Sequence, residues 1–199
     1  MQKVILPALF ISFLFFAWSF TLPEKDMNKM VKSSWIKETD PSKEATGKDQ
    51  VNWLTLAEAE SVLKDQKKPV LIDLYTDWCG WCKVMDKKTY NHAEVIKYIN
   101  EHFIAVKLNA ETKEDISWLG KHYGYQNSYR VNTYALYLTK GELSFPTTVI
   151  LPDKGEDPQA IAGFLEPKEM EIILKYFGEG HYGNQSFQQF NKNFISGWK

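Results

Sequence analysis

The chain has 199 residues, 44% hydrophobic and 25% charged, with a formal net charge of -1. That balance belongs to a globular protein with a core and excludes a disordered or fibrous chain. It shows no cluster of Lys and Arg to hold backbone phosphates, so no nucleic-acid partner is expected.

The N-terminus sets the expected compartment. Met1-Gln2-Lys3 is a short positive start, and Val4 to Phe16 is apolar apart from Ser12, which is the pattern of a signal peptide. Small residues at Ala17 and Ser19 place cleavage after Ser19, so residues 1–19 are expected to be removed. The alternative is an uncleaved anchor, although the apolar stretch is shorter than the ~20 residues a spanning helix needs. No cysteine follows closely to carry a lipid. The protein is therefore expected in the periplasm or otherwise outside the cytoplasm, soluble after cleavage or membrane-anchored. Residues 20–50 are polar, contain Pro23, Pro41 and Gly47, and read as a linker.

Folded structure is expected over residues 51–199. Thr55 and Glu58 form a capping-box pattern ahead of Ala59, Val62 and Leu63, so a helix begins there and ends near Lys67-Lys68-Pro69. The compact apolar run Pro69 to Tyr75 suits a strand buried on both faces. After Cys82 a helix runs to about Lys88, and a second starts at Asn91, where Asn91 and Glu94 repeat the capping pattern. Phe103 to Leu108 reads as a strand parallel to the first, because strand, helix, strand at this spacing implies a crossover.

Between Lys107 and Pro146 two short helices are expected, one using Ile116, Leu119, Gly120 and Tyr123, the other Val131, Tyr134, Ala135 and Leu138. Strands follow at Thr147–Leu151 and Ala160–Gly163, joined by a turn at 152–155. Pro167 opens the last strong helix, with Met170, Ile173, Leu174 and Phe177 on one face and Gly178 at its end. The tail from His181, carrying Phe187, Phe190 and Phe194, is expected to dock on the domain. The whole is an α/β order with mixed strands. Gly178 to Gly183 matches a dinucleotide fingerprint by letters only, since it follows a helix and lacks the strand-to-helix turn that cradles a pyrophosphate.

Exported chains often use many cysteines as staples, but this one has two, Cys79 and Cys82, separated by two residues. Closing so short a loop removes little chain entropy from the unfolded state, so the pair reads as chemical rather than architectural. It lies in Asp77-Trp78-Cys79-Gly80-Trp81-Cys82-Lys83, where a strand ends and a helix begins. A thiolate is the attacking species, and a helix N-terminus favours negative charge, so Cys79 is the better nucleophile. Cys82, nearly one turn inside, is placed to resolve a mixed disulfide. Half of a zinc site is the competing reading, but there is no second Cys pair and the histidines are scattered.

These residues resemble the thioredoxin superfamily, and more narrowly the exported thioredoxin-related proteins with a Trp-Cys-Gly-Trp-Cys-Lys motif, over roughly Val51 to Phe177. The resemblance implies a thioredoxin-like fold: a central mixed sheet flanked by helices, here with a helical insertion at about 110–144 and a C-terminal extension at 178–199. It assigns Asp73 to the buried acid that assists the resolving cysteine and Lys107 to the lysine beside that acid. Phe145-Pro146-Thr147 matches the loop whose cis-proline faces the cysteines, and Gly163 the glycine of the last strand. Trp78, Gly80, Trp81, Phe145, Pro146 and Gly163 then form the substrate-binding surface.

From the residues alone, Asp73 is either that acid or a solvent-facing strand residue, Lys107 its partner or a surface charge, and Pro146 cis or trans. Trp78, Trp81 and Tyr75 are either specific to the motif or a cover for the site.

The activity implied is thiol–disulfide exchange on protein disulfides, most simply reduction, with no cofactor and a membrane-embedded thiol donor as electron source. A monomer is expected. Trp81 stands where such motifs usually carry proline, a position that helps set thiol pKa and potential, so a disulfide oxidase or isomerase stays open. From another class, a soft-metal carrier using the same pair, with Met85 as a further ligand, also stays open.

Overall fold

The structure is a computed structural model and describes residues 49–152 and 157–198. The expected signal peptide, nearly all of the linker and most of the 152–155 turn lie outside the described residues. Among the described residues no helix is long and apolar enough to cross a membrane.

Helix α1 (Leu56–Asp65) starts at the expected capping box: Glu58 N–H donates to Thr55 Oγ1 (3.3 Å) and Thr55 N–H to Glu58 Oε2 (2.8 Å). Strand β1 (Val70–Tyr75) is buried along nearly its whole length, as its unbroken apolar run requires. Helix α2 (Gly80–Lys88) carries the cysteine motif, and α3 (Ala93–His102) leads into β2 (Ile104–Asn109). The start of α3 departs from expectation: its N-cap is His92 rather than Asn91, with no side-chain hydrogen bond closing it. Its apolar stripe Val95, Ile96 and Ile99 is fully buried. Packing therefore outweighs the missing cap.

The expected helix over Ile116 to Tyr123 is instead a hairpin of β3 (Ile116–Trp118) and β4 (Lys121–Tyr123). The spacing 116, 119, 120, 123 imitates a helical face, but Leu119 and Gly120 are the two turn residues, with φ of 49° and 74°. A tight two-residue hairpin turn asks for positive φ at both centres. Alternation then buries Ile116 and Trp118 and exposes Ser117. A second small hairpin, β5 (Tyr125–Gln126) with β6 (Val131–Asn132), precedes the one helix of the insertion, α4 (Thr133–Leu138). Asn132 caps it by accepting Tyr134 N–H (2.9 Å). The insertion is thus two hairpins and a helix.

Strands β7 (Thr147–Leu151) and β8 (Gln159–Ala162) complete a sheet of order β2-β1-β7-β8. The β1–β2 pair is parallel; β1–β7 and β7–β8 are antiparallel. Period-two alternation in β1 sends Val70, Ile72 and Leu74 to one face, where they meet Ala59 of α1, Trp118 and Tyr134. Leu71 goes to the other face with Met85 of α2, Val95 and Ile99 of α3, and Met170 and Leu174 of the C-terminal helix α5 (Pro167–Gly178). Asp73 has the parity of Leu71, so it lies on the face that α2 covers. A last helix, α6 (Phe187–Asn193), packs Phe187 and Phe190 on Tyr176, with ring centroids 5.3 and 5.4 Å away. The tail docks as expected.

Candidate active site

β1 ends at Tyr75, and the chain turns through Thr76 to Trp78, with Cys79 N–H donating to Thr76 O (3.1 Å). Cys79 is the N-cap of α2, and its Sγ accepts Cys82 N–H (3.0 Å). This is one of the unpaired N–H groups of a helix start, and the same donor is in place to stabilise a thiolate there. The two cysteines are joined as a disulfide. Both residues are only 4% exposed, whereas Trp78 and Trp81 on either side are 68% and 62% exposed.

Each tryptophan has a partner. Trp78 stands edge-on to Phe145 (centroids 6.0 Å) and donates its Nε1–H to Glu111 Oε1 (3.0 Å). Trp81 packs on Phe164 (5.6 Å), next to Gly163. The loop after β2 braces this rim further, since Asn109 Nδ2 donates to Asp77 Oδ2 (3.1 Å). The Phe145–Pro146 peptide is cis. A Cβ added at Gly80 would meet nothing within 4 Å, so the face between the cysteines is open.

Gly163 closes the other side: its N–H donates to Pro146 O (2.8 Å), and its φ is 101°. A Cβ there would meet no neighbour, so Gly163→Ala acts through backbone strain alone. A cost of about 1–2 kcal/mol is expected, read in thermal unfolding as a fall in Tm of roughly 2–8 °C. An unchanged Tm would mean that the loop relaxes around the alanine.

A buried ionic cluster lies on the sheet face that α2 covers. Asp73 is 2% exposed, and Lys107 Nζ comes to 3.2 Å from its Oδ2. The sheet register requires this contact, because Asp73 and Lys107 are directly paired across β1 and β2. Asp73 Oδ1 has no hydrogen-bond partner among the described residues. Lys107 Nζ also bonds Asp86 Oδ1 of α2 and sits over the rings of Trp53 (5.4 Å) and Tyr75 (5.3 Å). Tyr75 is therefore a cover for the lysine.

Burial pushes the Asp73 carboxyl up to about 6, against the lowering effect of Lys107 and with a further push from Asp86. Burial works to lower the Lys107 ammonium, but the two carboxylates outweigh it and hold its pKa above the ordinary value. Tyr90, whose hydroxyl lies 3.4 Å from Thr148 Oγ1, is raised well above the usual phenol range by burial and then by Asp73. A buried acid whose ionisation works against folding is the kind of group that functional sites retain.

Contacts join Cys79 to Cys82, Trp78 to Phe145, Gly163 to Pro146 and Asp73 to Lys107, and these make up the candidate site. Asp86 and Glu111 belong to it as well and are marked by no motif. Asp86, four residues after Cys82 and so on the same helix face, was open to detection by spacing. Glu111 was not, because only the fold carries the end of β2 to Trp78.

The comparisons with known proteins bear on the same residues. A family model named Thioredox_DsbH, described as "Protein of unknown function, DUF255", matches residues 32–173. The chain belongs to this family. It is a thioredoxin-like family of the disulfide oxidoreductase type, related to DsbD and DsbH, and the Cys79–Cys82 pair supplies the matching motif.

Among curated relatives, the thiol:disulfide interchange protein DsbD of Escherichia coli strain K12 is 28% identical over 125 residues, 61% of this chain and 19% of that protein. Spermatogenesis-associated protein 20 of Mus musculus is 26% identical over 95 residues, 47% of this chain and 11% of that protein. The chain thus spans less than a fifth of the length of these relatives. A solved thioredoxin-fold protein from Helicobacter pylori is 19% identical, with a TM-score of 0.51, over 77% of this chain and 92% of that one. That likeness carries the fold alone, and it agrees with the thioredoxin-like α/β architecture expected from the sequence.

Proposed function

We propose that this protein reduces disulfide bonds in protein substrates outside the cytoplasm, cycling between a Cys79/Cys82 dithiol and disulfide. The observation that carries this reading is Cys79 Sγ at the N-cap of α2, bonded by Cys82 N–H, with the preceding Trp78 edge-on to Phe145. The Cys79 thiolate attacks one sulfur of a substrate disulfide. That S–S bond breaks, and the first substrate sulfur leaves as a thiolate and is protonated by solvent. Cys82 then loses its proton to Asp73, and its thiolate attacks Cys79 Sγ. The second substrate sulfur leaves, and the Cys79–Cys82 bond closes with two electrons passed to the substrate.

Trp78, Trp81, Phe145 and the Pro146 backbone hold the substrate segment, with Gly80 and Gly163 leaving room for it. Lys107 keeps Asp73 in place and limits the cost of its charge. No cofactor takes part. A thiol donor must return the two electrons, and the N-terminal sequence, with its positive start and short apolar stretch, favours a donor in a membrane facing the extracytoplasmic side. The protein acts as a monomer, and residues 1–19 direct export ahead of a linker at 20–50. The soft-metal alternative is disfavoured because Met85, its candidate extra ligand, is buried in the core with Leu71 and Met170.

The direction of electron flow is tested by equilibrating the Cys79/Cys82 couple against a glutathione redox series. A potential near the ~-270 mV of thioredoxin is expected for a reductase. A value near the ~-120 mV of a strong oxidant would make the protein a disulfide donor instead.

A further inference from the structure

Lys107 has one ammonium and two carboxylate partners that differ sharply in environment. Side-chain exposure rises along the chain from Asp73 (2%) through Lys107 (27%) to Asp86 (41%). An ion pair as exposed as Lys107–Asp86 adds little to stability. Its placement is more telling than its strength. Asp86 lies one turn beyond Cys82 on α2, and Cys82 and Met85 are the buried residues of that helix. Met85 packs with Leu71 on the sheet face to which Asp73 also points. The helix face with the resolving cysteine thus also reaches down to the cation that partners the buried acid.

We propose that Asp86 is a positioning residue for the resolving step: by sharing Lys107 with Asp73, it keeps Asp73 a strong enough base to take the proton of Cys82. This rests on the reading of Asp73 as that base. A carboxylate that owns a lysine outright is a stable anion and a weak proton acceptor, whereas one that shares it gives up part of that stabilisation. Asp86 also acts on Asp73 directly, because like charge disfavours a second ion nearby. Both effects have the same sign. The ionisable groups that interact with Asp73 are Lys107 of β2, Asp86 of α2, Tyr75 of β1 and Tyr90 after α2, and Cys82, on the same helix as Asp86, is the proton donor of the proposed step. The tyrosines stay neutral in the working range, since both are raised, in each case first by burial.

The test isolates the second chemical step. Reduced full-length protein is mixed with one equivalent of 5,5′-dithiobis(2-nitrobenzoate). Cys79 displaces one thionitrobenzoate and forms a mixed disulfide, and attack by Cys82 releases the second, so absorbance rises in two phases. The second-phase rate is followed from pH 4 to 9. In the wild type it climbs as Asp73 ionises.

Asp86→Asn leaves Lys107 to Asp73 alone, and the climb is expected to move about one pH unit lower, with a several-fold slower plateau. Asp86→Glu should restore the wild-type profile. Lys107→Met removes the shared cation and should move the climb higher. Far-UV circular dichroism checks that each variant is folded. If Asp73→Asn leaves the climb in place, Asp73 is not the base, and the proton step of the proposed function is wrong along with this inference. If Asp73→Asn abolishes the climb but Asp86→Asn superimposes on the wild type, the base stands and the role of Asp86 is overturned.

Discussion

Cys79→Ser is expected to bring insulin-disulfide reduction down to the uncatalysed rate, while Cys82→Ser stops at a trapped mixed disulfide. The asymmetry follows from position. Cys79 caps α2, so its sulfur receives the Cys82 N–H and the positive end of the helix, both of which favour a thiolate. Cys82 lies inside the first turn, and the proposed mechanism has it react only after Cys79. Serine at 79 removes the only thiolate that starts the exchange, because an alcohol is not ionised near neutral pH. Serine at 82 preserves that attack and removes the second one, so substrates should stay covalently bound to Cys79. Non-reducing gels of the two variants distinguish these outcomes. Equal activity in Cys79→Ser and the wild type would sink the mechanism, and adducts on Cys82 would exchange the two roles.

A large effect on stability is expected far from the cysteines, at Glu171. This side chain on α5 has no exposed area, yet it is an ion with four donors: Lys175 Nζ (2.8 Å), Ser196 Oγ (2.6 Å), Gly197 N–H (2.9 Å) and Trp198 N–H (3.2 Å). Burial alone would raise its pKa, but the lysine and the tail donors outweigh it and bring the value down to about 2. The native state therefore holds the carboxylate more firmly than the unfolded chain does.

The stability this contributes is fully present above the unfolded value near 4.5 and is lost as pH falls towards about 2. Glu171→Gln is expected to cost about 3 kcal/mol at pH 7. Urea unfolding should show the wild type and Glu171→Gln converging as pH falls from 4.5 to 2. The tail should loosen too, with Trp198 leaving Tyr98, now 5.8 Å from it. Equal stability at pH 7 would show that the tail contributes nothing.

Much of this molecule is legible in its sequence where the signal is local. The Thr55–Glu58 cap, the apolar run of β1, the Pro167 start of α5 and the cysteines at a strand-to-helix junction each depend on a few adjacent residues, and each is observed in place. The insertion shows where local reading fails. Ile116, Leu119, Gly120 and Tyr123 satisfy a helical spacing, but a turn at positive φ converts the same residues into a hairpin. Period alone does not register backbone handedness, and the deciding contribution is the burial of Trp118 against the sheet.

By itself, then, the sequence determined the α/β order and the placing of the cysteine pair at a strand-to-helix junction, because helix-end and strand-periodicity signals act within a turn or two of chain. Only the tertiary structure decided that Lys107 serves two carboxylates, that Glu111 braces Trp78 and that Glu171 ties down the tail. Those contacts join residues 21 to 34 positions apart, or in the case of Glu171 a buried carboxylate to backbone amides 26 and 27 positions on. Whether a charge at such a distance finds a partner depends on register and packing, and those are set by the whole core rather than by neighbours in the chain.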